Sequence, residues 1–265
     1  MTDHQPDNAP PPGAEPVTEH ELAQVLRPAK ERPAAEMHGH HHSDVSGGRL
    51  RPAVFGAMDG LVTNIALIAG VGGGGASPRV IILTGVAGTV AGAISMALGE
   101  YTSVRTQNEQ IAAELVKERR ELTRHPEAEQ KELAAAWRAR GLSRELAEAV
   151  AEQLHRDPDE ALRAHAEAEL GVNPDEQPSP WVAAISSFVT FGLGALVPLI
   201  TYFLGYAELW PALAVGGVGL FAVGAVVSRW TYQKWWFSGL RQLAFGAAAA
   251  GVTYLVGSMI GVAAA

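Results

Sequence analysis

Two sets of side chains in this chain have the types and spacing to hold a cation. The first lies in and beside an uncharged run that closes with "AISMALGEYTS", Ala93–Ser103. Met96 and Glu100 are four residues apart, so on a helix they share a face and bring a thioether sulfur beside a carboxylate. Asp59 is the one charge in the apolar stretch Val54–Pro78. An ionised group at the centre of a membrane helix costs about 2.5–3.5 kcal/mol on insertion scales, so it normally faces a pathway or a partner. The plainer alternative for Asp59 is an acid at a helix end, and for Met96 a packing residue. Asn64, further along the same stretch, adds an oxygen. Oxygen and sulfur together suit a borderline first-row ion such as Fe²⁺ better than Mg²⁺ or Ca²⁺.

The second set is acidic. Glu114, Glu118 and Glu121 fall on one helical face; Glu129 and Glu132 repeat the i, i+3 spacing; His165 and Glu169 stand at i, i+4. Like charges so placed repel by a few tenths of a kcal/mol per pair without a cation. Any single pair reads as a solvated face, and the arginines nearby favour that. Three helices converging read instead as a metal cluster. Upstream, "MHGHHH" offers His38, His40, His41 and His42 as an accessory metal tract, or as a solvated tail with only weak affinity. The chain has no cysteine, which removes thiolate ligands, disulfides and a cysteine nucleophile.

The elements that carry these residues follow from the distribution of charge. The 265-residue chain has a net charge of −8, but Val54–Pro78, Val80–Gly99, Trp181–Ala207, Leu209–Ser228 and Leu243–Ala265 are almost free of it. Each is about the 20 residues that a helix needs to cross the hydrocarbon core. None shows the polar stripe of a soluble helix. Residues 101–178 plus Glu100 hold 18 of the 28 acidic residues, and residues 101–178 hold 11 of the 20 basic ones. The expected fold is an all-α integral membrane protein. Five transmembrane helices carry a cytoplasmic helical metal-binding domain between helices two and three.

The expected divisions are a disordered His/Pro-rich tail over 1–50, helices one and two over 51–103, the inserted domain over 104–178, and helices three to five over 179–265. The tail has one short helical stretch near Glu19–Leu26 and argues against a cleaved signal peptide. The second span continues its helical period until Pro126. Further helices follow, with Gly141 as a stop, Ser143 as an N-cap and Gly171 as the last stop. Arg49 and Arg51 precede the first span, and Arg229, Lys234 and Arg241 lie between the fourth and fifth. The positive-inside rule then puts the N-terminus and insert in the cytosol and the C-terminus outside.

Other functions find little support. "GVGGGG", Gly70–Gly75, matches a dinucleotide fingerprint in form only, since it ends a span rather than linking strand to helix. There is no Walker lysine motif and no Ser–His–Asp arrangement, and the acidic balance opposes nucleic acid. An enzyme is not expected, nor a prosthetic group. Gly56/Gly60, Gly88/Gly92 and Gly257/Gly261 have the spacing that lets membrane helices approach closely, within one subunit or between two.

With these residues assembled, the chain resembles the vacuolar iron transporter family of divalent metal transporters. "GAMDGLVTNIALIAGV" is similar to the family's first span and "GTVAGAISMALGEYTSVRTQNE" to its second. "FVTFGLGALVPLI" and "RQLAFGAAAAGVTYLVG" are similar to the third and fifth. The likeness runs from about Leu50 to Val262. It implies a homodimer in a lipid bilayer, five helices per subunit, and export of Fe²⁺ and related divalent ions from the cytosol in exchange for protons. Co²⁺, Ni²⁺, Zn²⁺ and Mn²⁺ belong to the same class of cargo. By position, Asp59, Met96 and Glu100 line the intramembrane path, and Glu118, Glu121, Glu129, Glu132 and Glu169 fall at the family's cytoplasmic carboxylate ligands. Where the family commonly has a methionine pair, this chain has His165 and Ala166. That exchange implies altered selectivity. The expected location is a bacterial plasma membrane, or the vacuolar membrane in a eukaryote.

Two other classes compete. One is a membrane-tethered iron-oxidising store, which needs Glu-x-x-His motifs from two helices. Only Glu152 with His155 supplies a good one. The other is a metal sensor that binds without transporting, for which Asp59 inside a span has no use.

Overall fold

The computed structural model describes residues 50–174, 177–230 and 233–264. The tail, with its short helical stretch and His38, His40, His41 and His42, lies outside the described residues. Eight α-helices account for most of the rest, with no strand among the described residues: α1 Leu50–Gly73, α2 Pro78–Arg124, α3 Pro126–Ala139, α4 Arg144–Leu154, α5 Pro158–His165, α6 Pro180–Phe203, α7 Leu209–Val227 and α8 Trp235–Ala264. A π-helical turn, Ala166–Leu170, extends α5, and a 3₁₀ turn, Ser228–Trp230, extends α7.

Five of these helices, α1, α2, α6, α7 and α8, are long and apolar enough to cross a membrane. They turn large apolar side chains outward: Leu83, Leu98, Leu193, Val218, Val252 and Met259 are all exposed. In water such a surface would be a binding site or a liability; against lipid it is the required one. Exposed Trp181, Trp210 and Trp235 lie at the starts of α6, α7 and α8, the position of an interfacial aromatic belt. The protein is a multi-pass membrane protein.

The chain divides into two compact units, Ile111–Gln177 and the rest of the described chain. α2 contributes to both. Its 47 residues reach about 70 Å at 1.5 Å per residue. That is more than twice the roughly 30 Å of hydrocarbon, so one crossing uses less than half of α2. Its uncharged run, Val80–Gly99, ends just before Glu100.

Lipid tails are as apolar as Leu, so membrane helices associate through close van der Waals contact rather than by hydrophobic exclusion. The glycines show how. A side chain at Gly60 would run into the backbone of Phe191 on α6, and one at Gly56 would come 2.5 Å from Thr190 Oγ1. Gly257 faces the backbone of Gly70, and a Cβ at Gly261 would lie 2.7 Å from the Gly74 carbonyl, which locks α8 to α1. Gly92 leaves room for the ring of Phe191, and Gly88 faces Leu67 at ordinary distance. All three glycine pairs therefore pack against this chain's own helices.

The unit Ile111–Gln177 is built differently. Leu133, Ala134, Ala147, Ala151 and Ala164 form its core, with Trp137, Leu142 and Leu154 against them. His125 and Pro126 end α2 and start α3. Ser143 caps α4, its Oγ accepting from the Leu146 N–H (3.3 Å), and Asp157 caps α5 in the same way. Gly171 ends the π turn at φ +66°, a conformation that favours glycine. Two expectations need adjustment. α1 begins at Leu50, with Arg51 and Pro52 in its first turn, so Arg51 belongs to the helix rather than preceding it. Arg241 lies inside α8 rather than in the link before it.

Candidate metal centre

His165, the last residue of α5, is the centre of the second set. Its side chain is fully buried, and three carboxylates surround its Nδ1: Glu169 Oε1 at 2.9 Å, Glu118 Oε1 at 3.0 Å and Glu129 Oε2 at 3.8 Å. These come from the π turn, α2 and α3, so three elements converge on one ring nitrogen. Ligand atoms of Glu118, His165 and Glu169 all lie within 4.8 Å of one another.

The hydrogen bonding is incomplete in a specific way. A carboxylate only accepts, so His165 Nδ1–H donates to Glu169 Oε1. One N–H serves one oxygen at full strength. Glu118 Oε1, equally near, is buried with no hydrogen-bond partner. A buried acceptor without a donor is costly, and a cation between the oxygens would remove the cost.

The electrostatics agree. Burial, first, and then the Glu169 charge push the Glu118 carboxyl above the usual range, while His165 beside it pulls the other way. Glu129 is raised by burial and then by Glu132, with Glu169 and Glu121 adding to it against His165. The pocket holds more negative charge than its single imidazole balances. Several carboxylates elsewhere on the unit have cations of their own. Glu148 pairs with Arg144 (2.8 Å), Glu160 with Arg163 (2.6 Å) and Asp159 with Arg119 (2.9 Å). These are exposed pairs of small individual worth. The charged-face explanation fits them, but not Glu118, Glu129 and Glu169.

The remaining candidates separate by burial. Glu121 and Glu132 lie close enough for their charges to act on Glu129 and stand at the rim of the cluster. Glu114 does not join it: it is exposed, 3.4 Å from Lys117. Glu152, half of the motif required by an oxidising store, is exposed beside Arg156 at 3.3 Å and is not turned to ligate with His155. The sequence reading passed over His155 in its own right. This ring stacks edge-on with His165, centroids 5.4 Å apart, and its Nδ1–H donates to the Ala151 carbonyl (2.9 Å). Burial pushes its imidazole below the usual range. The available signal was position: His155 closes α4 and His165 closes α5, the next helix in the chain.

In the membrane unit, Asp59 is half-buried on α1 and accepts from Thr63 Oγ1 (3.3 Å). Met96 is packed against the core of Ala93, Phe191 and Ala195. Glu100 is half-buried one turn beyond it. Asn64 is fully buried: its Nδ2 donates to Thr89 Oγ1 (3.1 Å) on α2 and to the Ala195 carbonyl on α6. It thus ties three spans together, and its Oδ1 is left without a partner.

The sequence that builds these helices is similar to that of known proteins. The model of the VIT family matches residues 50–258. A vacuolar iron transporter of Acanthamoeba castellanii is 36% identical over 204 residues, 73% of this chain and 74% of its own. Vacuolar iron transporter 1 of Arabidopsis thaliana is 31% identical over 209 residues, 77% of this chain and 81% of its own. Vacuolar iron transporter 1 of Oryza sativa is 29% identical over 227 residues, 83% of this chain and 90% of its own. With a match over most of its length and relatives at this identity, the chain belongs to the VIT family.

Proposed function

We propose that this protein is a transporter of Fe²⁺ and related divalent metals, exporting them from the cytosol in exchange for protons. The observation that carries the reading is the buried His165 ring within 4 Å of three carboxylates, in a chain whose relatives are named iron transporters. The N-terminus and the unit Ile111–Gln177 face the cytosol and the C-terminus lies outside. Glu118, Glu129 and Glu169 capture the ion around the His165 ring, whose Nδ1–H holds Glu169 in place, while Glu121 and Glu132 at the rim draw it in. Carboxylate oxygen beside imidazole suits Fe²⁺ and extends to Co²⁺, Ni²⁺, Zn²⁺ and Mn²⁺.

Asp59, Met96 and Glu100 form the intramembrane path. Glu100 receives the ion at the membrane boundary, Met96 offers sulfur one turn deeper, and Asp59 is the acid within the span. Metal and protons compete for the same carboxylate oxygens, so a proton taken up at such a group favours release of the ion. This competition is the basis of exchange. The working unit is a homodimer in the bilayer.

The test is flux in liposomes containing the purified protein, with metal entry and internal pH followed together after adding Fe²⁺ under reducing conditions. Coupled Fe²⁺ and proton movement, lost in Asp59→Ala, is the expected result. Metal binding with no flux under any imposed proton gradient would replace the transporter with a sensor or store.

A further inference from the structure

His165 Nδ1 faces the carboxylates, so its other ring nitrogen points elsewhere. That nitrogen, Nε2, is buried and has no hydrogen-bond partner. The same is true of His155 Nε2. Two buried, unsatisfied imidazole nitrogens on adjacent rings need an explanation, because a buried polar atom without a partner is destabilising.

The tautomers sharpen the point. Each Nδ1 carries the hydrogen, since each donates to an oxygen that only accepts: the Glu169 carboxylate for His165, the Ala151 carbonyl for His155. In its neutral form each ring then has its lone pair on Nε2, and a metal bound there takes the place of the proton that a cationic ring carries. A histidine that holds its other nitrogen against a carboxylate or a backbone carbonyl is in the form that ligates metals, with its orientation fixed and its basicity raised.

The separation of the rings also fits. Zinc binds imidazole nitrogen at about 2.0–2.1 Å in tetrahedral geometry, and the ring centre lies roughly 1.1 Å behind the nitrogen, so two imidazoles on one ion have centroids about 5 Å apart. The observed 5.4 Å is close to that separation, and without an ion the rings meet edge-on.

We infer that His155 and His165 form a second metal site through their Nε2 atoms, one that takes a borderline ion of the Zn²⁺, Co²⁺ or Ni²⁺ type. His165 is then shared: Nδ1 anchors it to the carboxylate cluster and Nε2 ligates the second ion. The inference rests on the capture role of that cluster only for its place in transport; the donor set stands on the two rings themselves. Its consequence is selectivity. A site of two imidazoles prefers Zn²⁺, Co²⁺ and Ni²⁺ to Mn²⁺, whereas the carboxylate oxygens alone suit Mn²⁺ well.

The experiment uses the full-length protein in detergent, with His38, His40, His41 and His42 replaced by Ala so that the tract does not report. Zn²⁺ is loaded and its X-ray absorption spectrum recorded. Scattering from two imidazoles is expected; one or none overturns the site. Next, Co²⁺ and Mn²⁺ binding are titrated in this background and in His155→Ala. The expected result is at least a tenfold loss of Co²⁺ affinity, loss of the intense tetrahedral Co²⁺ absorption, and unchanged Mn²⁺ binding. Unchanged Co²⁺ affinity and absorption in His155→Ala overturns the inference. Mn²⁺ binding lost in Glu118→Gln and retained in His155→Ala keeps the carboxylate reading separate, and Mn²⁺ binding unaffected by Glu118→Gln would undo that reading alone. If His155→Ala fails to fold, the absorption spectrum of the parent decides.

Discussion

In the membrane-spanning unit glycines let helix backbone meet helix backbone, at Gly60 with Phe191, Gly194 with Ala57 and Gly257 with Gly70. In the unit Ile111–Gln177 the close contacts around the centre join charge to charge, three carboxylates about one imidazole. The first unit packs α1 closely on α6 and α8 through glycine and sets isolated polar side chains, Asp59 and Asn64 among them, in an apolar surrounding. The second collects like charges and leaves the Glu118 oxygen without a donor. At those glycine contacts no volume can be added, while a region built from repelling acids tolerates substitution but depends on a cation. The same chain thus divides rigidity and capture between two kinds of packing.

The largest effects belong to the membrane unit. Asp59→Asn keeps the size and hydrogen-bonding capacity of the side chain but removes its charge, and flux in liposomes falls to background. Titration of metal in the same sample then shows binding unchanged, because Glu118, Glu129, His165 and Glu169 are untouched. Equal loss of binding and flux would erase the division between the units. Gly60→Leu tests the packing itself. The new side chain meets the Phe191 backbone, which cannot rotate away, so the loss reaches the upper end of the roughly 1–3 kcal/mol typical of overpacking, or beyond it. Thermal unfolding in detergent, followed by size-exclusion chromatography, measures it.

An intermediate effect is expected at the centre. Glu118→Gln retains the shape, removes the charge and gives His165 a neutral neighbour. Metal affinity falls by about 10–100-fold, the range for groups that hold a ligand in place, or more if Glu118 ligates directly. Glu114→Gln, on the same face of α2 but paired with Lys117 in solvent, changes affinity little. Calorimetric titration with Mn²⁺ separates the two. Equal losses would mean that long-range attraction, not contact, governs capture.

That pair of residues also marks the limit of what sequence patterns reveal. The period of α2 puts Glu114, Glu118 and Glu121 on one face. Period does not say where α3 and α5 cross it, and burial of Glu118 alone among the three as a direct neighbour of His165 follows from that crossing. Where local chemistry decides, the reading holds: Ser143 caps α4, Gly141 follows α3 with φ +101°, and Pro126 marks the end of α2. Five spans were readable because uncharged stretches of this length have few other uses. Their ends were less so, since Arg51 and Arg241 join helices once their charges reach the interface. The π turn at Ala166–Leu170 and the meeting of His155 with His165 have no periodic signature at all. Both depend on how α4 and α5 fold back on each other.

The smallest effect sets two titrations of the same unit against each other. Glu118 and Glu129 are held above the usual carboxylate range by burial and by their acidic neighbours. The folded unit therefore holds more protons on them than the unfolded chain does, and their contribution to stability is complete below about pH 4.3 and fades as pH rises through the raised values. His155 is held below the usual imidazole range by burial. Its contribution is present above about pH 6.5 and is lost as pH falls toward the lowered value. On mild acidification of the metal-free protein the two slopes have opposite sign. Hydrogen–deuterium exchange of α3 to α5 in the intact protein, corrected for the intrinsic pH dependence of amide exchange, reads the local opening. His155→Leu removes the second slope, so protection in that variant increases as pH falls from 7 to 5. Glu118→Gln with Glu129→Gln removes the first, and protection then decreases over the same range. Identical pH profiles in the two variants would mean that the buried charges of this unit are not what distinguishes it from the glycine-packed helices of the membrane.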